Sequence, residues 1–206
     1  LDFAGNIMLD EYVSATDPQV EISADIAEKH FDVVKIKNPS AQCFKHSSNR
    51  DRAHANKGLM PAQARALMKE SGIVLPETYA CSSQGAMMCQ SYDAAGNPLD
   101  QPLCEGEAVL FNRTVNGYRV LNDFCSLIVS NDKAQRINLE RKNIKGLASR
   151  KIKKPKVRSN SGIDPDELTF ELAFIEKDGL LIPVWVVVYQ NQIYIYNAEK
   201  GLRYED

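Results

Sequence analysis

The stretch Ala108-Val-Leu-Phe-Asn-Arg-Thr-Val-Asn-Gly-Tyr-Arg-Val-Leu121 decides the fold class, because it carries the strongest hairpin signal in the chain. Asn116 and Gly117 separate two β-prone runs, and both residues tolerate the positive φ of a type I′ turn. Residues 124–130 and 134–143 continue with the composition and alternation of strands. We therefore predict an antiparallel meander of about four strands in this part of the chain.

The last forty residues predict a second β block. Apolar side chains alternate from Leu168 to Phe174, which is typical of a strand with one buried face. A Val-rich strand that contains Trp185 follows, and the run Ile193-Tyr194-Ile195-Tyr196 predicts a third strand.

The first half of the chain predicts one clear helix. Residues 59–72 are rich in helix formers, Pro61 suits the first turn, and Gly72 is a natural stop. Ser23 is placed to begin a short second helix. Residues 73–107 read as an irregular, cysteine-bearing connection. The expected fold class is thus α+β, with an antiparallel β-meander and hairpins packed against one or two helices.

These segments suggest four parts, which together can form one compact domain. They are an N-terminal α+β region (1–106), the β-meander (107–146), a basic linker (147–163) and a C-terminal β-hairpin unit (164–206).

The cysteines bear on the cellular compartment. Cys81, Cys89, Cys104 and Cys125 cluster in a region with turn signals, which is typical of disulfides formed in an oxidising compartment. Cys81 with Cys89 and Cys104 with Cys125 is one of three possible pairings, and the sequence does not choose between them. The alternative is reduced thiols in a cytosolic protein. The chain begins at Leu1, as expected of a mature or trimmed form.

Residues with catalytic or metal-binding chemistry give only a weak pattern. Cys43, His46 and His54 lie close in sequence but lack a fourth ligand and a zinc-like spacing. They could alternatively form a Cys–His nucleophile pair, although nothing in the sequence brings them together. A solvated polar loop explains them better, so we predict no catalytic residue, no metal and no cofactor.

A basic segment and two tyrosines are the candidate partner-binding features. Residues 141–158 contain nine basic and no acidic residues, among them Lys151, Lys153, Lys154 and Lys156. This segment could contact an anionic surface or an acidic protein face, or it could be a solvated linker. It lacks interleaved aromatic residues, and the net charge is −2, which argues against nucleic acid. Tyr194 and Tyr196 would form an exposed patch if their face of the sheet is open.

Both β blocks carry motifs that resemble a known group of proteins. The strand that runs into Asn116-Gly117 and on to Val129 resembles a pattern in propeptides of secreted metallopeptidases. Trp185, followed by the closing turn from Asn197 to Gly201, resembles the PepSY-type hairpin. The same order is similar to that of extracytoplasmic regulators of cell-wall sensor kinases. The resemblance covers about residues 107–201, but the basic linker stands where a PepSY-type unit has an amphipathic helix.

The resemblance implies a PepSY- or cystatin-like fold and a role without catalysis. Members of these families inhibit or chaperone a peptidase, or restrain a membrane sensor. The chain is therefore expected to be an exported regulatory module (periplasmic, cell-surface or secreted) that binds a protein partner. The alternatives are a secreted effector or surface protein with an unknown target, and an enzyme or metal site that depends on Cys43 and its neighbouring histidines. The sequence identifies neither the partner nor the oligomeric state.

Overall fold

A computed structural model describes a series of separate ranges of the chain. These are residues 7–8, 20–31, 33–38, 41–45, 59–89, 95, 97–98, 103–148, 151–153, 168–190 and 192–203. Their strands, in chain order, are β1 (Ile7–Met8), β2 (Glu21–Ile22), β3 (Val33–Asn38), β4 (Ala41–Lys45), β5 (Ile73–Val74), β6 (Tyr79–Cys89), β7 (Leu103–Val115), β8 (Tyr118–Ser130), β9 (Lys133–Glu140), β10 (Gly146–Leu147), β11 (Lys151–Ile152), β12 (Thr169–Lys177), β13 (Leu180–Tyr189) and β14 (Gln192–Asn197). The helices are α1 (Ala24–His30) and α2 (Pro61–Glu70).

The predicted fold class is wrong. The structure is mostly β, with 61% strand and two short helices, and parallel as well as antiparallel neighbours occur in its sheet. The main cause is the segment expected to be an irregular connection, which instead forms β5, β6 and the beginning of β7. The fold is therefore not the expected set of antiparallel hairpins packed against helices.

Several local predictions are confirmed. Helix α2 has Pro61 in its first turn, and Gly72, with φ of +85°, follows its end. Asn116 and Gly117, with φ of 51° and 81°, form the turn between β7 and β8. The alternating C-terminal segment forms β12, β13 and β14.

The chain divides into two compact units. The helix-bearing unit comprises Pro18–Arg113 and Asp123–Arg141, and the hairpin unit comprises Leu1–Asp17, Thr114–Asn122 and Lys142–Asp206. None of the helices in the described ranges is long and apolar enough to span a bilayer.

The helix-bearing unit contains the strand order β6-β7-β8-β9-β4-β3, with α1 and α2 packed on its apolar residues. Ala64 and Met68 of α2 are completely buried against the side chains of the sheet, among them Phe111 and Leu127. β7 lies between β6 and β8, and its backbone comes very close to β8 at Gly106. At Gly106 a Cβ atom would lie only 2.2 Å from the carbonyl oxygen of Val129, so this position requires glycine.

The hairpin unit is built around β13. This strand pairs antiparallel with β12 and β14 and parallel with β10, while β12 meets β8 in parallel at Phe174 and Val120. Part of the basic segment is structured here, because it holds β10 and β11 and the completely buried Ile152. The indole N–H of Trp185 donates to the carbonyl oxygen of Lys153 at 2.7 Å.

Candidate functional site

The beginning of strand β6 is held by contacts from α2 and from the sheet, and Arg65 supplies those from α2. The Arg65 guanidinium donates to the carbonyl oxygens of Leu75 (3.0 Å) and Tyr79, and it lies 5.0 Å from the centre of the Phe111 ring. The Tyr79 N–H donates to the carbonyl oxygen of Pro76 at 3.1 Å. These contacts hold the connection between α2 and β6 in one conformation.

A buried polar triad fixes the same end of β6 from the sheet. The Tyr79 hydroxyl donates to Asp123 Oδ1 at 2.6 Å, and Arg113 Nη1 lies 3.5 Å from Asp123 Oδ2. Tyr79, Arg113 and Asp123 are 2%, 4% and 0% exposed. Burial, and then the Asp123 carboxylate, raises the pKa of Tyr79, so its hydroxyl remains a hydrogen-bond donor. Removal of one partner from such a buried pair is costly, so the triad holds this end of β6 in place.

Ser82 marks the end of the fixed part of β6. Cys81 pairs with Phe111 and Ser83 with Leu110, so Ser82 is an additional residue on β6. Its hydroxyl lies 2.6 Å from Asn112 Oδ1, a contact that ties the bulge to β7.

Beyond Ser82, β6 is an open edge strand. Every residue from Ser83 to Met88 is exposed, although each pairs with β7 on one side. Among the described residues, β7 is the only strand that pairs with β6. We call Ser83–Met88 the open edge.

The open edge lacks the features that normally protect an exposed strand. Natural edge strands carry charges, proline or bulges that prevent another strand from pairing with them. No residue from Tyr79 to Cys89 is charged or a proline, and the ladder with β7 is regular from Ser83 to Met87, between the bulge at Ser82 and a second shift at Met87/Met88. The N–H and C=O groups of the open edge that point away from β7 can therefore pair with an added strand.

The edge of the hairpin unit differs from the open edge. The Asn197 N–H at the end of β14 donates to the carbonyl oxygen of Leu202 at 2.8 Å, and Tyr196 forms a bridge with Arg203. The returning chain thus covers the end of β14. The Arg203 guanidinium also lies 5.3 Å from the centre of the Tyr194 ring. Tyr194 and Tyr196 are half-buried, and their role as a binding patch stays a prediction.

The cysteines differ from the expected arrangement. Cys81 and Cys125 are free thiols, so no disulfide joins Cys81 to Cys89 or Cys104 to Cys125. Cys81 and Cys89 lie eight residues apart on the same extended strand, which is too far for a disulfide, and Cys125 is completely buried with its Sγ 3.6 Å from Met68 Sδ. The side chains of Cys89 and Cys104 lie outside the described residues.

The weak metal or nucleophile candidates are not brought together within the described residues. Cys43 is half-buried on β4 and has a free thiol, while His46 and His54 lie outside the described ranges. The part of the chain that is described contains no group of three or more possible metal-ligating side chains. A site that includes the two histidines stays a prediction.

Of the four candidate lysines in the basic segment, the structure describes two. Lys151 and Lys153 are exposed, and Lys154 and Lys156 lie outside the described residues.

Asn197 Oδ1 accepts the N–H groups of Glu199 (3.0 Å) and Lys200 (2.9 Å), which closes the turn before Gly201. Asn197 thus shapes this turn, while the family motif to which it was assigned stays a prediction.

Comparison with known protein families, curated proteins and solved structures found no match to this chain. The resemblance to the PepSY and propeptide families, and the export expected from it, therefore stay predictions.

Proposed function

We propose that this chain is a non-catalytic binding module that takes up an extended segment of a protein partner by strand addition to β6. The observation that carries the proposal is the open edge, in which Ser83–Met88 are exposed and uncharged beside the fully paired β7. A segment bound there would extend the sheet by one strand.

The open edge offers main-chain hydrogen bonds to such a segment. In an antiparallel pair, alternate residues direct their N–H and C=O groups away from the partner strand. About three residues of the open edge therefore present unpaired groups over about 20 Å of strand. Main-chain bonds of this kind supply affinity with little dependence on the sequence of the bound segment.

The side chains of the open edge would provide selectivity. Gln84 can donate and accept hydrogen bonds through its amide, whereas Met87 and Met88 are 37% and 52% exposed and can adapt to apolar side chains. Small residues between them, Gly85 and Ala86, leave room for larger side chains of the bound segment.

The fixed beginning of β6 lowers the cost of binding. Arg65, Asp123 and the Ser82 bulge hold the strand in place before any partner arrives. A binding strand that is ordered in advance loses less conformational entropy when the complex forms. We therefore propose a role as inhibitor, chaperone or regulator, which agrees with the sequence resemblance to families that act on peptidases or membrane sensors.

Site-specific photo-crosslinking tests the proposal. A photoreactive residue is placed at Gln84, and a control chain carries it at Ala66, an exposed position on α2. In extracts of the native source, the Gln84 probe should give a distinct protein adduct that the Ala66 probe does not give.

A second variant links that adduct to the edge. Gly85→Lys adds a charge of the kind that protects natural edge strands, and the space around a Cβ at this position is empty to 4 Å. The adduct should be lost in Gly85→Lys and retained in Ala66→Lys. An adduct that both substitutions leave unchanged, or no adduct at Gln84, would contradict the proposal.

A further inference from the structure

We infer that the open edge also binds a second copy of this chain, with β6 antiparallel to β6 across a two-fold axis at Gly85. The inference rests on the proposed function, because it uses the same edge and the same strand addition. It names a partner whose surface chemistry is known, since the partner strand has the sequence Ser83–Met88 itself.

The absence of charge from β6 is the first argument. In a two-fold interface a residue close to the axis faces its own symmetry mate or a near neighbour of that mate. A charged residue near the axis would therefore meet a like charge, and directly opposed like charges destabilise a strand pair. No residue from Tyr79 to Cys89 is charged, so self-pairing of β6 meets no such penalty.

The irregularities of the β6–β7 ladder set the position of the axis. The pairing with β7 shifts between Cys81 and Ser83 and again between Met87 and Met88, which leaves Ser83–Met87 as the regular stretch. A partner strand of equal length matches this stretch best when the two midpoints coincide. The midpoint is Gly85.

The sizes of the paired side chains agree with this register. With the axis at Gly85, Gln84 lies opposite Ala86 of the second copy and Ser83 lies opposite its Met87. Each large side chain therefore meets a small one, and glycine meets glycine at the axis, where the two strands have no Cβ atoms to separate them. The exposed Met87 would gain cover from the second copy.

The expected dimer is weak. Two short strands and their adjacent side chains bury an area at the low end of protein interfaces, below about 1,200 Å². The dimer should therefore depend on concentration, and a second protein with a better-fitting extended segment could displace one copy.

Analytical ultracentrifugation of the full chain tests the dimer. The wild type should pass from monomer to dimer as its concentration rises. Gly85→Lys places two lysines next to the axis and should raise the dissociation constant at least about tenfold. Ala66→Lys adds the same charge to exposed α2 and should leave the dissociation constant unchanged.

A disulfide test checks the register. Directly opposed residues in an antiparallel pair have Cα atoms about 4.5–5.5 Å apart, which a disulfide can span. Gly85→Cys, in a chain that also carries Cys81→Ser, should form a disulfide between the two copies of residue 85 under mild oxidation. Ala66→Cys in the same background should not, and peptide mass mapping identifies the linked residues.

The outcomes separate this inference from the proposed function. A chain that stays monomeric at all concentrations, or a dimer that Gly85→Lys leaves intact, would overturn the inference. If the Gln84 probe still captures another protein in a manner abolished by Gly85→Lys, the proposed function stands without it. A wild-type dimer that is lost in Gly85→Lys, together with a disulfide between the two copies of residue 85 in the Gly85→Cys chain, supports the inference, and the Gln84 adduct decides the proposed function.

Discussion

The two ends of β6 differ in burial and in the contacts that hold them. At its beginning, Tyr79 is 2% exposed and bound to Asp123, and Arg65 binds the carbonyl oxygens around it. From Ser83 to Met88 every residue is exposed, and among the described strands β7 alone pairs with this stretch, on one side. We call the contacts of Arg65, Tyr79 and Asp123 at the beginning of β6 the anchor. One strand thus joins this anchor to the open edge.

Under the proposed function, this difference explains how β6 would stay available to a partner. An unpaired strand usually needs its neighbours for its conformation, and it is vulnerable to aggregation when it is uncharged. Here the conformation is set at one end by buried polar contacts, so the other end can remain open. Changes in the anchor should lower stability, whereas changes in the open edge should affect association.

The largest expected effect is on the buried triad. Asp123→Ala leaves Arg113 buried without its carboxylate and Tyr79 without its acceptor. We expect a loss of about 3–5 kcal/mol in the free energy of unfolding, measured by urea denaturation. Glu171→Ala removes the carboxylate of a more exposed pair, in which the Arg119 and Glu171 side chains are 25% and 49% exposed, and should cost about 1 kcal/mol or less. Similar losses in both variants would show that the triad is not a special anchor.

A pair of glycines sharpens the contrast between enclosed and open strands. Gly106 has φ of +141° and its Cβ would collide with the Val129 carbonyl, so Gly106→Ala should cost about 2 kcal/mol or more. Gly85 has open space around it, and Gly85→Ala should be neutral or stabilise β6 by up to about 1 kcal/mol. Thermal and urea unfolding of both variants measure this difference. A destabilising Gly85→Ala would mean that the edge is more enclosed than the structure shows.

Arg65 tests the connection that leads into the anchor. Arg65→Ala removes hydrogen bonds to three carbonyl oxygens and the contact with the Phe111 ring, at a cost of about 1–3 kcal/mol. Lys69→Ala, an exposed basic residue on the same helix, should change stability by less than about 0.5 kcal/mol. Hydrogen exchange should also show faster opening at the beginning of β6 in Arg65→Ala. Equal stability of the two variants would remove Arg65 from the anchor.

The free energy of unfolding should also fall gradually, by a small amount for each half unit of pH, at alkaline pH. Burial raises the pKa of the Cys125 thiol from 9.0 to about 12, while the unfolded chain loses this proton near pH 9. The stabilising contribution is therefore complete below pH 9 and is lost as the pH rises from 9 to 12, at up to about 1.4 kcal/mol per pH unit. Tyr79, whose pKa is also raised, adds to the loss above about pH 10.

Cys125→Ala isolates the thiol in that titration. The variant should be less stable at neutral pH because it leaves a cavity beside Met68, but its stability should fall less steeply between pH 9 and 12. Urea denaturation at half-unit pH steps gives both slopes. Parallel slopes in the wild type and the variant would contradict a raised pKa at Cys125.

The sequence predicted the elements whose signals are local. Asn116-Gly117 marks the turn between β7 and β8, Pro61 and Gly72 delimit α2, and the alternation before Trp185 matches β12. Each of these signals lies within a few residues of the structure that it predicts. They identified the turn, α2 and the C-terminal strands correctly, whereas residues 118–130 form the single strand β8 where two strands were expected.

The rest depends on contacts between distant residues. β6 is rich in Ser, Gly, Ala and Gln, whose weak strand preference is overridden by pairing with β7. The partners Tyr79 and Asp123 are 44 positions apart, and no pattern in the sequence links them. The one available signal for the open edge was the long run without charge or proline around Ser83, which is unusual for an exposed strand.

Hydrogen exchange of the β6 amide groups tests the central claim most directly. Individual amides are followed by NMR in the dilute chain and in its complex with a second copy or with the protein captured at Gln84. We predict that the outward amides of Ser83–Met88 exchange fast in the dilute chain and become protected in the complex, while Tyr79 stays protected in both. Outward amides that are already protected in the dilute chain, or that stay unprotected in the complex, would contradict strand addition at β6.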